Sequence, residues 1–193
     1  MKTFNEFLKE SSLSRVLHHT QNSNIGMISA SRGEHTPEQN KAANKSLEKD
    51  IRGHGHGIIH VTGHYTENKG TPEEKHVKEH SMLVVGKKGS DSSELLGHLK
   101  TLGAKYNQDS ILHKAKGDEH ANLHGTKEGS WPGLGQTHNV GKFHPNRAAE
   151  FTSHLKGNKS FTFSEGVEPE LIFEMDEEYF KALEKAELMY NIK

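Results

Sequence analysis

The sequence predicts an α+β fold: a ferredoxin-like split βαβ core whose antiparallel-rich sheet carries helices on one face, then a β-rich extension and a C-terminal helix. Three observations predict it. Between Ile25 and Lys116, short apolar runs and helical patterns alternate as strand, helix, strand, strand, helix, strand. The first of the two helical patterns carries a full set of start signals. Hydrophobic residues make up only 31% of the 193 residues, enough for one modest core under much polar surface.

Along the chain, MKTFNEFLKE sets Phe4, Phe7 and Leu8 on one face of a short amphipathic helix, and Ser11 to Asn24 follows as a polar arm or linker with room for a helical turn near Ser14 to Leu17. IGMISAS suits a buried strand. Thr36 then stands as N-cap, with Pro37 at the first helical position and Gln39 completing a capping box, so a helix runs to about Ile51 and stops at Gly53. GIIHVTGHYT and MLVVG are the next strands, separated by the breaker-rich ENKGTPEEK. Leu95, Leu96, Leu99 and Leu102 stripe a helix over 90–106, and Asp109 to Lys114 returns as a strand. Beyond Lys116, HANLHGT and KSFTFSE read as strands, the second at an edge, and GSWPGLGQ as a loop. HPNRAAEFTSHL reads as a short helix, and the tail from Asp176 as a final helix with an acidic first turn. The implied organisation is an N-terminal helix and linker (1–24), an α/β core (25–116), a loop-rich β extension (117–165) and a C-terminal helix (166–193).

Charge and composition exclude several classes. Lys plus Arg (25) nearly cancel Asp plus Glu (26), so no global field favours nucleic acid or an anionic membrane, although 16 histidines make the charge sensitive to mild acid. Without cysteine there is no disulfide frame, thiolate zinc site or Cys nucleophile. No run reaches the roughly 18 apolar residues of a membrane span, so a soluble protein made in the cytoplasm is expected, with no cofactor signature.

The histidine-rich stretch GHGHGIIHVTGH does not read as a shared metal site. A strand rises about 3.3 Å per residue, which separates His60 from His64 by roughly 13 Å, whereas zinc holds nitrogen at about 2 Å. His54 and His56 remain as an adventitious pair in a turn, short of one or two further ligands. HVKEH matches the H-x-x-E-H pattern of inverted zinc peptidases, in which two helical histidines hold the metal. Yet Met82 begins a strand almost immediately, which puts His80 at a strand entrance.

Chemistry or binding is instead expected at one end of the sheet. Arg32 follows the first strand, His64, Tyr65 and Glu67 end the second, Glu79 enters the third, and Gln108 with Ser110 opens the fourth. A guanidinium, carboxylates and an imidazole brought together there suit a small anion or acid and base chemistry, and equally a surface salt-bridge cluster. Trp131, on a glycine-rich loop, is either a contact residue or a cover over the edge of the core.

Two resemblances bear on function. MKTFNEFLKE resembles the capsid-targeting sequence of internal head proteins of T-even-type tailed phages, sharing Met1, Lys2, Thr3, Glu6, Phe7 and Glu10. It implies packaging into the capsid interior and cleavage by the prohead protease after Glu10, two residues beyond Leu8. The stretches ISASRGEHTPEQN, EHSMLVVG and KYNQDSIL are similar to a small, uncharacterised α/β family of bacterial and phage proteins. That likeness implies a compact fold over 25–112, with Arg32, Asn40, Glu79 and Gln108 as positions to test and the residues beyond about Lys116 as a phage-specific extension. The leading expectation is a virion-associated internal head protein, made in the host cytoplasm and delivered with the DNA to an unknown host target. The alternative is a small non-virion enzyme or ligand-binding domain that uses the sheet-end cluster.

Overall fold

The computed structural model describes residues 4–67, 72, 75–145, 151–155 and 159–164. Helix α1 (Phe4–Asn22) leads into strand β1 (Ile25–Ile28), helix α2 (Pro37–Gly53), the long strands β2 (Gly57–Glu67) and β3 (Lys75–Val85), and helix α3 (Ser92–Lys105). Strands β4 (Ser110–Lys114), β5 (His120–Gly125), β6 (Thr137–Pro145), β7 (Phe151–Leu155) and β8 (Lys159–Ser164) follow. These eight strands form a closed antiparallel barrel in the order β1-β3-β2-β7-β8-β6-β5-β4.

The ferredoxin-like expectation is therefore corrected. The central order of elements is as read, but β1 pairs with both β3 and β4, and the stretch beyond Lys116 supplies four strands that close the ring through β2 pairing with β7. Each of the eight strands has a strand neighbour on both sides, so KSFTFS bonds to β6 on one side and β7 on the other. FTSHL is strand β7, where a short helix was expected. Pairing decides this: its Thr and Phe residues suit a sheet once β2 and β8 stand on either side. The predicted C-terminal helix lies outside the described residues.

Local signals explain the helices. Thr36 accepts from the Gln39 N–H (3.2 Å) while the Gln39 side chain accepts from the Thr36 N–H (2.8 Å), a reciprocal cap on α2. Asp91 accepts from the Ser93 N–H (2.7 Å) at the start of α3. Both helices lie on the outer face of the barrel, where Leu47, Ile51, Leu95, Leu99 and Leu102 pack on Ile28, Met82, Val84 and Ile111. Gly26 permits that approach, since a Cβ there would stand 2.2 Å from Leu99 Cδ1. Tyr106 and Lys105 lock the helices together, each donating to Asp50 Oδ2 at 2.7 Å.

The opposite parity of the same strands fills the barrel. Ile25, Val61, Leu83, Leu155 and Phe161 form a second cluster, joined by Leu13 and Val16 of α1. Helix α1 thus closes one end, and the buried Lys114 ammonium holds it there by donating to the Thr20 carbonyl at 2.7 Å, near the C-terminus of the helix. The helix runs unbroken through Glu10 and Ser11 to Asn22, which corrects the arm or linker expected from Ser11 on.

Candidate functional site

At the other end the barrel is open, and a cavity of about 690 Å³ enters it. A size between roughly 300 and 1,000 Å³ is usual for a small-molecule site, and an eight-stranded barrel has room for one small ligand. The space arises from residue size. On β3, Leu83 gives way to Ser81 two positions on; on β2, Val61 gives way to Gly63; on β4, Leu112 to Ser110; on β7, Leu155 to Ser153; and after β1, Met27 to Ser29. Side chains two apart on a strand share a face, so each small residue points into the ring as the large one named before it does. Met27, Leu112, Leu123, Val140 and Phe163 provide apolar wall around it.

The polar rim is built by α2 and the loops. Asn40 and Asn44, one helical turn apart, grip the loop after β1: Asn40 accepts from the Arg32 N–H (2.8 Å) and donates to the Arg32 carbonyl (3.0 Å), and Asn44 accepts from the Ala30 N–H (3.1 Å). Arg32 is thereby set at the mouth, its guanidinium bonded to Glu34 (2.9 Å) and the Asn107 carbonyl, with Asp109 at 3.7 Å. The Glu34 carboxyl is held below the usual range by its own backbone N–H first and by Arg32 second. Gln108, buried, donates to the Ser31 carbonyl at 3.3 Å and the Tyr106 carbonyl at 3.2 Å.

Of the residues expected at the sheet end, Arg32, His64, Glu79 and Gln108 all line this cavity. They enter it differently. Glu79 lies within β3 opposite Gly63, facing inward, whereas His64 is opposite Lys78 and exposed at the rim, its ring 4.3 Å from that of His154. Desolvation first, then the His154 imidazole, lowers the pKa of His64. Tyr65 and Glu67 lie further along β2, and their side chains are outside those described.

His54 and His56 belong to another place, beside α3: His54 stacks on His98 at 3.9 Å, while buried His56 contacts His98 through ring nitrogens 3.0 Å apart and accepts from the Lys87 N–H at 3.1 Å. Among the described residues, no three His, Asp or Glu side chains are placed to hold a metal ion. HVKEH lies within β3, so its two histidines are not one helical turn apart and the zinc-peptidase pattern is absent. Sequence reading singled out Ser110 and Trp131, which line the cavity, but missed the other small residues and the wall residues Leu123, Val140, Thr152, Ser153, Thr162 and Phe163. The large-to-small step two residues apart is visible in the sequence, but only the tertiary structure shows that five such steps open on one cavity.

Residues 26–167 match the S-adenosylmethionine lyase family, and the chain belongs to that family. No curated protein matches it. Among solved structures, a phage S-adenosylmethionine lyase in complex with S-methyl-5'-thioadenosine is similar, with 15% identity and a TM-score of 0.31 over 61% of this chain and 87% of that one. A phage S-adenosylmethionine lyase in its apo state gives 15% identity and a TM-score of 0.30 over 61% and 86% of the two chains. At such scores the assignment rests on the sequence match.

The family overturns the internal-head-protein reading, and with it the virion location and the prohead-protease processing at Leu8 and Glu10. A ten-residue amphipathic segment is also what a docked terminal helix requires, and α1, with Leu13, Val16 and Leu17 buried, is one. The match also runs through β5 to β8, so the segment expected to be a phage-specific extension is part of the family's own region. Among the described residues, no helix is long and apolar enough to cross a membrane.

Proposed function

We propose that this protein is a lyase that cleaves S-adenosylmethionine, with the open end of the barrel as its substrate site. One observation carries the reading: the family match spans 26–167, and every residue lining the cavity falls inside it. It favours the enzyme alternative, acting in the cytoplasm of an infected host, where the substrate is available.

The chemistry asked of such a site is modest. Breaking the bond between the sulfonium and the aminobutyrate arm releases methylthioadenosine, a neutral thioether, so the leaving group needs no proton. A lyase consumes no water. The arm's own carboxylate oxygen can bond to the carbon that sulfur leaves, closing a five-membered lactone while the electron pair departs on sulfur. What the protein must supply is a folded arm, exclusion of water and a charge arrangement that favours the reacting geometry. The Glu79 carboxylate suits the cationic end of the substrate, the Arg32 guanidinium its carboxylate, and the apolar wall the methylthioadenosine portion.

Incubation with S-adenosylmethionine and chromatography for methylthioadenosine tests this. The wild-type protein should release it, and Glu79→Gln should slow release about 100-fold or more while circular dichroism is unchanged. No release by the wild type would sink the activity; a wild-type rate in Glu79→Gln would move the site elsewhere.

A further inference from the structure

Trp131 is the chain's single tryptophan, and it is 57% exposed while lining the cavity. It is neither core nor loosely held. The loop that carries it is tied to the end of β5: the Gly125 N–H donates to the Gln136 carbonyl (2.9 Å), and the Gly135 N–H donates back to the Gly125 carbonyl (3.1 Å). The backbones touch so closely that a Cβ on Gly125 would stand 1.7 Å from the Gly133 carbonyl oxygen. Ser130 adds a bond to the Lys127 carbonyl at 2.9 Å. The indole itself meets His138 in an edge arrangement, with centroids 4.9 Å apart and planes at 61°. A large aromatic surface is therefore held in water at the mouth of a cavity, where ordering it costs a ligand little.

Its place in the ring adds a second observation. Trp131 is on the connection between β5 and β6, and Glu79 is on β3; β3 and β6 stand four places apart among eight strands, on opposite sides of the barrel. A flat aromatic face on one side and a carboxylate on the other match a ligand with a flat ring at one end and a cation at the other.

We infer that Trp131 is the platform on which the purine ring of the nucleoside ligand stacks, with the charged arm reaching across toward Glu79. The inference rests on the S-adenosylmethionine reading and deepens it by assigning the base subsite.

The single tryptophan makes its fluorescence a report on this one position. Titration with adenosine and methylthioadenosine should quench it. S-Methylmethionine, which carries the sulfonium without a base, should leave it unchanged. By calorimetry, Trp131→Ala should bind methylthioadenosine about tenfold or more weakly, Trp131→Phe should recover most of the loss, and Leu134→Ser, on the same loop but off the cavity wall, should bind as wild type. Quenching by S-methylmethionine and not by adenosine would put the cation on the indole and overturn the inference. Normal cleavage with silent fluorescence and unchanged binding in Trp131→Ala would overturn it while leaving the lyase intact. No binding of S-adenosylmethionine or methylthioadenosine by the wild type would remove both.

Discussion

The two ends of the barrel are made from the same strands and do opposite things. At the closed end, Ile25, Leu83, Leu155 and Phe161 meet Leu13 and Val16 of α1 and leave a packed core. Toward the other end of the ring, Ser29, Gly63, Ser81, Ser110 and Ser153 line an opening. A barrel's ring of hydrogen bonds is indifferent to which side chains point inward, so one end can hold the fold while the other gives up apolar burial for space. The difference teaches that the cavity is a property of side-chain size at one end of the ring, on a backbone that continues unchanged.

Breaking the closed end should cost most. Leu83→Ala removes a fully buried side chain and should lower unfolding free energy by roughly 2–5 kcal/mol in a denaturant titration. A loss as small as that of a surface change would mean that the two ends do not differ as described. Filling the open end is the converse test: Ser153→Phe should weaken methylthioadenosine binding about tenfold or more while stability holds or rises, read by calorimetry and melting. Weak binding with a collapsed melting temperature would show instead that Ser153 is structural.

Acid sharpens the comparison from the outer face. His124, on β5 near the open end, accepts or donates through Nδ1 to Thr137 at 3.1 Å, and burial first, then Lys100 and His113, pushes its pKa down to about 4. The folded state therefore binds this proton less readily than the unfolded chain does. The stabilisation is complete above about pH 6.5, the ordinary histidine value, and is lost as pH falls from there toward 4. Melting temperature should drop through that window, and His124→Gln should reduce the drop by on the order of 5 °C. An identical acid limb in the variant would assign the effect to other lowered histidines such as His56 and His113. Smallest of all, Ser110→Ala should change stability by less than about 0.5 kcal/mol, since it removes one hydroxyl from an open wall. A larger loss would show that Ser110 holds the ring together.

Much of the local structure was legible in the sequence. Thr36, Pro37 and Gln39 mark the start of α2 because capping involves only neighbours in the chain, and the leucine stripe of α3 follows helical period. Legibility failed where partners are remote. FTSHL is short and mixed, and nothing within it says that β2 and β8 will flank it. Polar strands after Lys116 carry little hydrophobic signal because half of each faces outward and part of the inner face lines the cavity. MKTFNEFLKE misled for a related reason: ten residues of amphipathic pattern suit a packaging signal and a docked helix equally, and the burial that favours the second comes later, at Leu13 and Val16.

The sequence by itself determined the chain's near-neutral charge, its lack of thiol chemistry, its capped helices and the apolar runs that became β1 to β4. It also carried Arg32, Glu79 and Gln108 as marked residues at strand ends and turns. Only the tertiary structure decided that eight strands close, that Glu79 faces inward while His64 stays at the rim, and that five small residues line one cavity with Trp131. Those facts depend on pairing register between segments as far apart as β2 and β7, and register is set by the whole ring of hydrogen bonds, which no window of the sequence contains.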